Sequence, residues 1–233
     1  MRKFFMSDIH GHYTPMMKLL EHVKFNPNED TIIFGGDMID RGPDSGKVVK
    51  EIKALQEMYP SNVKSIVGNH EEMLIWYLLG RSSMWLKYGG IEAAKSFNEV
   101  FGIKSQEKDE HIEWIMNLPI TEQDEDGIYC HAGLDIAYGL EEQPRDVLWM
   151  NADELFSYTV DEILDYTNDR KMYRGHNPVH HVKTDMARVC CDLGMGVLEP
   201  TYAGLALVDI TNQTYYRYSA KAHTISHKKI QLI

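Results

Sequence analysis

The N-terminal part of the chain repeats one pattern three times: a short apolar run, then a cluster of polar side chains, then apolar residues at helical spacing. The apolar runs cover residues 3–6, 31–34 and 63–67. Short strands that alternate with helices predict βαβ units, and hence an α/β fold with parallel strands. Folds of this class bind their ligands at the carboxyl ends of the strands. The three polar clusters are therefore candidates for one functional site.

Composition limits the partners of this chain. Its 233 residues can bury a sizeable core, either in one large domain or in two small ones. The net charge of −11, from 35 acidic and 24 basic residues, disfavours binding to nucleic acid and to anionic membranes. No apolar run approaches the roughly 20 residues that cross a bilayer, and the amino terminus lacks the pattern of a signal peptide. We therefore expect a cytoplasmic protein without nucleic-acid or membrane partners.

The three cysteines are expected to be structural. Cys130, Cys190 and Cys191 leave an odd thiol, and the adjacent pair lies in an apolar stretch. Their spacing does not match the common thiolate metal motifs. We interpret all three as reduced, buried, small apolar side chains.

The remainder of the chain predicts further helices and a set of late strands. We expect helices over 73–101 with a break at Gly89 and Gly90, over 107–118, and near 147–156 and 161–166. We expect strands over 128–130, 189–191, 204–210 and 214–219, the last two joined by a hairpin turn at 211–213. The basic segment 221–229 is predicted to be a frayed terminus.

Metal-binding side chains follow five predicted strand ends. They are Asp8 and His10, Asp37, Asn69 and His70, His131, and His176. One Asp-x-His motif alone is weak, because a polar turn with an incidental histidine gives the same letters. Mixed nitrogen and oxygen ligands suit manganese, iron or zinc rather than calcium. One carboxylate can bridge two ions about 3.5–4 Å apart, an arrangement that serves phosphoryl transfer.

Five motifs follow one another along the chain: D-x-H at 8–10, G-D-x-x-D-R-G at 36–42, G-N-H-E at 68–71, H-A-G at 131–133 and G-H at 175–176. Together they resemble the calcineurin-like metallophosphoesterase superfamily, in particular the bacterial and phage members of its phosphoprotein phosphatase branch. The resemblance covers residues 7 to about 219. It implies an α/β sandwich of two mixed β-sheets flanked by helices, with a helical cap from about 73–118 and 134–170. It also implies a metallophosphoesterase domain over 1–219, followed by a basic tail over 220–233.

The same resemblance implies a role for each motif residue. Asp8, His10 and Asp37 would hold the first metal ion, and Asp37, Asn69, His131 and His176 the second, so that Asp37 bridges the two. Manganese is the expected metal, with iron or zinc as alternatives. A hydroxide that bridges the ions would attack phosphorus, His70 would act as general acid oriented by Asp40, and Arg41 would bind the phosphoryl oxygens. Taken singly, Asn69 also suits a turn and Asp40 a helix cap.

Departures from the family pattern bear on the substrate. Pro178 stands where superfamily nucleases and cyclic phosphodiesterases commonly carry a further histidine ligand, which favours the phosphoprotein phosphatase and diadenosine polyphosphate hydrolase side. Val67 and Asn151 stand where bacterial and phage phosphatases often carry arginines. Arg174 is the predicted substitute as a phosphate-binding residue, because strand alternation aims it to the same side as His176. The alternative for Arg174 is a solvent-facing arginine at the rim of the sheet.

The resemblance implies a metal-dependent phosphoric ester hydrolase. We expect a serine/threonine protein phosphatase that acts on phosphorylated proteins. The alternative is symmetrical hydrolysis of diadenosine tetraphosphate or a related small nucleotide, and residues 134–170 do not separate the two. A catalytically inactive binding scaffold is disfavoured, because every expected ligand position is filled.

Overall fold

Twelve short strands form two six-stranded β-sheets in the computed structural model, which describes residues 1–233. The strands are β1 (Lys3–Met6), β2 (Thr31–Phe34), β3 (Val63–Ser65), β4 (Thr121–Gln123), β5 (Gly127–Cys130), β6 (Lys171–Arg174), β7 (Lys183–Thr184), β8 (Arg188–Cys190), β9 (Gly204–Asp209), β10 (Thr214–Ser219), β11 (Ile225–Lys229) and β12 (Gln231–Leu232). The helices are α1 (Tyr13–His22), α2 (Ser45–Met58), α3 (Asn69–Leu78), α4 (Gly90–Phe101), α5 (Gln106–Met116), α6 (Ala152–Leu155) and α7 (Val160–Thr167). Short 3₁₀ turns cover Met84–Lys87 and Arg145–Trp149.

Both sheets mix parallel and antiparallel strands. The first sheet has the order β11-β10-β9-β1-β2-β3, in which β1, β2 and β3 are parallel and β9 is antiparallel to β1. The second sheet has the order β12-β7-β8-β6-β5-β4, in which β5, β6 and β8 are parallel and β4 is antiparallel to β5. The predicted α/β sandwich of two mixed sheets is confirmed.

Side-chain alternation along β1 separates two hydrophobic cores. Phe5 lies between the sheets with Tyr129 and Tyr173, whereas Phe4 and Met6 point to the helices on the outer face. The ring centroids of Phe5 and Tyr129 are 6.0 Å apart, and those of Tyr129 and Tyr173 are 5.8 Å apart. This aromatic layer joins the sheets directly behind the loop that follows β1.

Helices cover the outer face of each sheet, so the layers run helix, sheet, sheet, helix. The apolar faces of α1 and α2 pack on the first sheet. The second sheet is covered by α7 together with Leu134 and Leu155. Helices α4 and α5 pack on α2 and α3 and contribute to the predicted helical cap. None of the helices has the length and apolar character needed to cross a membrane.

The segment after Ser219 departs from the sequence expectation. It is paired in both sheets, because β11 lies antiparallel to β10 and β12 lies parallel to β7. Most of its side chains are exposed, so no apolar alternation marks these strands in the sequence. Backbone hydrogen bonds to sheet edges hold them instead. The prediction of a frayed terminus over 221–229 is therefore wrong.

Two predicted helices are divided in the structure. The segment over 73–101 becomes α3, a 3₁₀ turn and α4. The segment over 147–156 becomes a 3₁₀ turn and α6, because Asn151 starts a new helix. The Asn151 side chain accepts a hydrogen bond of 3.0 Å from the backbone N–H of Glu154. Asn151 therefore serves as a helix cap at this position.

The inter-sheet layer predicts a large cost for truncating Phe5. Phe5 is fully buried, and removing a buried phenyl ring costs about 3–5 kcal/mol through lost transfer energy and the cavity left behind. We expect Phe5→Ala to lower the free energy of unfolding by that amount in urea titrations, and Phe5→Leu to cost less. The control is Ile103→Ala, since Ile103 is 73% exposed. A Phe5→Ala protein as stable as this control would contradict the packing described.

Candidate metal centre

Five loops meet at one edge of the sandwich, and their backbone is strained there. Six site residues other than glycine have left-handed φ angles between 45° and 72°: Asp8, His10, Asp37, Asp40, Arg41 and His176. A left-handed backbone at such a residue carries about 1–3 kcal/mol of conformational strain, which the surrounding structure has to offset. Residues of this kind concentrate at functional sites. The loops after β1 and β2 support each other, since the N–H of His10 donates to the carbonyl of Asp37 over 2.9 Å.

The carboxylate of Asp37 lies at the centre of this edge. Its Oδ2 is 3.6 Å from Nε2 of His10 and 3.9 Å from Nε2 of His70. Its Oδ1 is 3.4 Å from Nε2 of His131. The ligand atoms of His10, Asp37 and His70 lie within 4.8 Å of one another, and so do those of Asp37, His131 and His176. The two oxygens of one carboxylate thus face two separate groups of histidines.

Backbone carbonyls fix the orientation of two of these imidazoles. Nδ1 of His10 lies 3.1 Å from the carbonyl oxygen of Ile39, and Nδ1 of His131 lies 2.9 Å from that of Gly35. A carbonyl can only accept, so each Nδ1 carries the proton and each neutral ring leaves Nε2 with a free lone pair. Metal-binding histidines typically have this second hydrogen bond.

Asn69 brings a further oxygen to the same place. It is the first residue of α3, and its Oδ1 lies 2.9 Å from Nε2 of His131 and 3.1 Å from Nδ1 of His176. Since Nδ1 of His131 donates to a carbonyl, its Nε2 and the Asn69 oxygen present lone pairs to each other. A cation between them would convert this repulsion into coordination, so the donor set fits a divalent metal ion.

Asp8 contacts the second group through the backbone of His176 and belongs to neither set of ligand atoms that lie within 4.8 Å of one another. Its Oδ1 and Oδ2 accept the backbone N–H of His176 over 3.1 and 3.2 Å, and Oδ2 also accepts the hydroxyl of Ser7 over 2.5 Å. A Cβ at position 175 would lie only 1.8 Å from Oδ2 of Asp8. The close approach of these two loops therefore requires Gly175.

Burial shifts the pKa values of the ionisable groups in this cluster. Burial, together with the nearby carboxylates of Asp8 and Glu71, raises the pKa of Asp37 well above its usual value. Burial also raises the pKa of Asp8, with Asp192 adding to the effect. The pKa values of the neighbouring histidines fall, again mainly because of burial. The positive charges of Arg174 and Arg41 lower the pKa values of Asp8 and Asp37 only in part, and divalent ions would supply further positive charge.

Glu71 holds the loop after β2 in place. Its carboxylate accepts the N–H groups of Gly68, Asp37 and Met38 over 2.8 Å each, and that of Ile39 over 3.2 Å. By accepting the N–H of Gly68, the residue before α3, it also caps the start of this helix. With about four lone-pair positions already used, this carboxylate has none left for a metal ion.

Asp40 links His70 to a residue that the sequence did not single out. Oδ2 of Asp40 is 2.6 Å from Nδ1 of His70, and the indole Nε1–H of Trp85 donates to Oδ1 of Asp40 over 2.8 Å. Asp40 is fully buried, and burial raises its pKa to about 8, against the hydrogen bond from Trp85, which lowers it. Trp85 falls within the helical segment predicted over 73–101, and nothing in its spacing relates it to Asp40.

The two candidate arginines occupy different surroundings. Arg41 is exposed, and its Nη2 lies 3.2 Å from Nε2 of His70. Arg174 is buried, donates to Oδ1 of Asn177 and, over 3.5 Å, to Sγ of Cys190. Its Nε has no hydrogen-bond partner. Arg174 therefore does not lie at the solvent-facing rim, and its role in phosphate binding stays a prediction.

Comparison with known proteins relates the chain to phosphoesterases. The sequence profile described as calcineurin-like phosphoesterase matches residues 1–199. The symmetrical bis(5'-nucleosyl)-tetraphosphatase of Proteus mirabilis is 32% identical over 136 residues, or 58% of this chain and 45% of the relative. The chain thus spans about half the length of the curated relatives that it matches.

Solved structures share the fold over almost all of the chain. A cold-active protein-tyrosine phosphatase of a psychrophile Shewanella species superposes with a TM-score of 0.65 and 18% identity, covering 98% of this chain and 80% of the other. A serine/threonine phosphatase of Saccharomyces cerevisiae superposes with a TM-score of 0.62 and 19% identity, covering 98% of this chain and 79% of the other. Similarity at this level of identity establishes the fold and leaves substrate open.

The indole of Trp85 is expected to matter for catalysis through Asp40. In Trp85→Phe the buried carboxylate loses a hydrogen bond that favours its ionised form, so its pKa rises and the basic limb of the pH–rate profile moves to higher pH. A hydrogen bond to a charged group is worth about 1.5–3 kcal/mol, so kcat on phenyl phosphate with manganese should fall at least about tenfold.

Trp149→Phe is the matched control, because Nε1 of Trp149 makes no hydrogen bond. It removes the same N–H group and should leave the pH–rate profile in place. Equal profiles for the two variants would contradict a positioning role for Trp85.

Proposed function

The chain belongs to the calcineurin-like phosphoesterase family, and on that premise we propose that it hydrolyses phosphoester or phosphoanhydride bonds with two divalent metal ions. The observation that carries this proposal is the Asp37 carboxylate, whose oxygens lie 3.4 Å from His131 and 3.6 Å from His10. A carboxylate that faces ligands on both sides is suited to bridge two ions.

We propose the following ligands. Asp8, His10 and Asp37 hold the first ion, and Asp37, Asn69, His131 and His176 hold the second. The mixed nitrogen and oxygen donors suit manganese, with iron or zinc as alternatives. When bound, the two ions lower the pKa of a water molecule and polarise the phosphoryl oxygens.

His70 and Asp40 are proposed to supply the proton for the leaving group. Nδ1 of His70 and Oδ2 of Asp40 are 2.6 Å apart, so the two groups titrate as a coupled pair. Burial raises the pKa of Asp40 to about 8 and lowers the pKa of His70 to about 2, so at neutral pH the titrating proton of this pair lies on Asp40. The imidazole can pass it to the departing oxygen, and Asp40 holds the ring in position.

Arg41 is proposed to bind the phosphoryl oxygens. Its side chain is exposed beside His70, with 3.2 Å between Nη2 of Arg41 and Nε2 of His70. A guanidinium fork matches two phosphoryl oxygens and stabilises the negative charge that spreads over them in the transition state. A phosphoryl group bound there lies next to the proton donor.

We propose a dinucleoside tetraphosphate as the substrate, cleaved symmetrically into two nucleoside diphosphates. The sequence favoured a serine/threonine protein phosphatase, but the curated relatives are named symmetrical bis(5'-nucleosyl)-tetraphosphatases, at 32% and 33% identity. They support the alternative better than the first expectation. A protein phosphatase is the second candidate, because the chain shares its fold with tyrosine and serine/threonine phosphatases.

A substrate comparison tests this proposal. We expect the protein with manganese to convert diadenosine tetraphosphate to ADP alone, with a larger kcat/KM than for a phosphoserine peptide. Chromatography of the products measures both. Release of AMP and ATP, or faster turnover of the peptide, would contradict the proposed substrate.

The variant His70→Asn tests whether His70 acts as the general acid. It keeps a polar side chain but removes the proton donor, and general acid catalysis contributes about 10²–10⁴-fold. The loss should be smaller for p-nitrophenyl phosphate, because nitrophenolate leaves without a proton. An equal loss on phenyl phosphate and on p-nitrophenyl phosphate would argue against the general acid.

A further inference from the structure

A groove of about 500 Å³ opens beside Arg41 and takes no part in the proposed chemistry. One wall is the first turns of α1, with His12, Thr14 and Lys18. The opposite wall is the segment from Met195 to Ala203, and Tyr218 and His223 also line the groove. Cavities of roughly 300–1,000 Å³ are the usual size for small-molecule sites.

The groove is joined to the phosphate-binding side of the centre. A Cβ at Gly196 would lie 2.9 Å from Cε1 of His12 and 3.3 Å from Cβ of Arg41, so the backbone packs against both side chains. Gly196 has a φ of 73°, a conformation that favours glycine. Pro43 and Asp44 continue the lining directly after Arg41. A molecule whose phosphates lie at Arg41 can therefore extend into this groove.

Besides the ammonium group of Lys18, the polar groups of the groove include acceptors that suit a hydrogen-bonding moiety. Nδ1 of His12 lies 3.1 Å from the carbonyl oxygen of Ile9 and must donate to it, so the neutral ring has an acceptor at Nε2. Asp44 offers a second acceptor, although its Oδ1 already binds Nζ of Lys47 over 2.7 Å. Acceptors of this kind pair with the hydroxyls of a ribose or the amine of a base.

Apolar surface makes up the rest of the groove. Three prolines line it, Pro15, Pro43 and Pro200, together with Leu198 and Ala220. Their rings and methyl groups can make van der Waals contacts with the face of a planar base. One recess with a few acceptors and apolar walls is suited to a single compact group rather than to an extended peptide.

We propose that this groove binds the nucleoside part of a nucleotide whose phosphates lie at Arg41. The proposal rests on the proposed phosphoesterase function and assigns the side on which the substrate's nucleoside lies. Thr14, at the second position of α1 and exposed, and Pro200 on the opposite wall become specificity positions.

Thr14→Trp and Pro200→Trp fill the groove from opposite walls without touching the metal centre. Asp161→Trp is the matched control, because Asp161 is the exposed second residue of α7 and lies outside the groove. Circular dichroism checks that all three variants fold.

The readout is competitive inhibition of p-nitrophenyl phosphate hydrolysis by ADP and by pyrophosphate. Both inhibitors carry two phosphates, but only ADP carries a nucleoside. We expect both groove variants to raise the inhibition constant of ADP at least about tenfold and to leave that of pyrophosphate within about twofold. Asp161→Trp should change neither constant.

The possible outcomes separate the groove from the proposed substrate. Unchanged ADP inhibition in the groove variants, or an equal change for pyrophosphate, overturns the nucleoside site. Loss of phosphopeptide turnover with ADP inhibition intact assigns the groove to peptides and also overturns it. A wild-type protein that hydrolyses p-nitrophenyl phosphate but not diadenosine tetraphosphate contradicts the proposed substrate alone, since ADP still probes the groove.

Discussion

The carboxylate of Asp37 is the group on which the site depends. It is buried beside the carboxylates of Asp8 and Glu71, which raises its pKa and makes its ionised form costly. Its Oδ1 accepts the N–H of His70 over 3.0 Å, and Glu71 accepts the N–H of Asp37 itself over 2.8 Å. Holding one negative group between two sets of neutral imidazoles therefore lowers the stability of the folded protein. Divalent cations that both bind this carboxylate would offset the cost of burying its charge.

Asp40, the proposed partner of His70, and Arg41, the proposed phosphate ligand, lie near this carboxylate because one short loop carries both. Asp40 and Arg41 each adopt a left-handed φ, so the chain turns sharply enough to bury the carboxylate and expose the guanidinium. The cap supports both, since Trp85 donates to Asp40 and a Cβ at Gly89 would lie 2.4 Å from the backbone nitrogen of Arg41. The 3₁₀ turn and the start of α4 therefore form part of the wall of the candidate metal centre.

The sequence predicted this centre because the relevant information is local. Asp8, Asp37 and His131 each lie within three residues of the end of a buried strand, and parallel strands place such residues at one edge. What the sequence missed depends on tertiary contacts. Trp85 meets Asp40 across 45 residues, and the exposed side chains of β11 and β12 show no apolar alternation. The burial of Arg174 could not be inferred either, since alternation gives a side chain's face but not its depth.

Metal stoichiometry after dialysis against manganese tests the sharing of Asp37 most directly. The account predicts about two ions per wild-type chain, about one in His131→Ala, and well below one in Asp37→Ala, because only Asp37 serves both ions. Elemental analysis of the folded proteins gives these ratios. An Asp37→Ala protein that keeps one firmly bound ion, as His131→Ala should, would contradict the shared carboxylate.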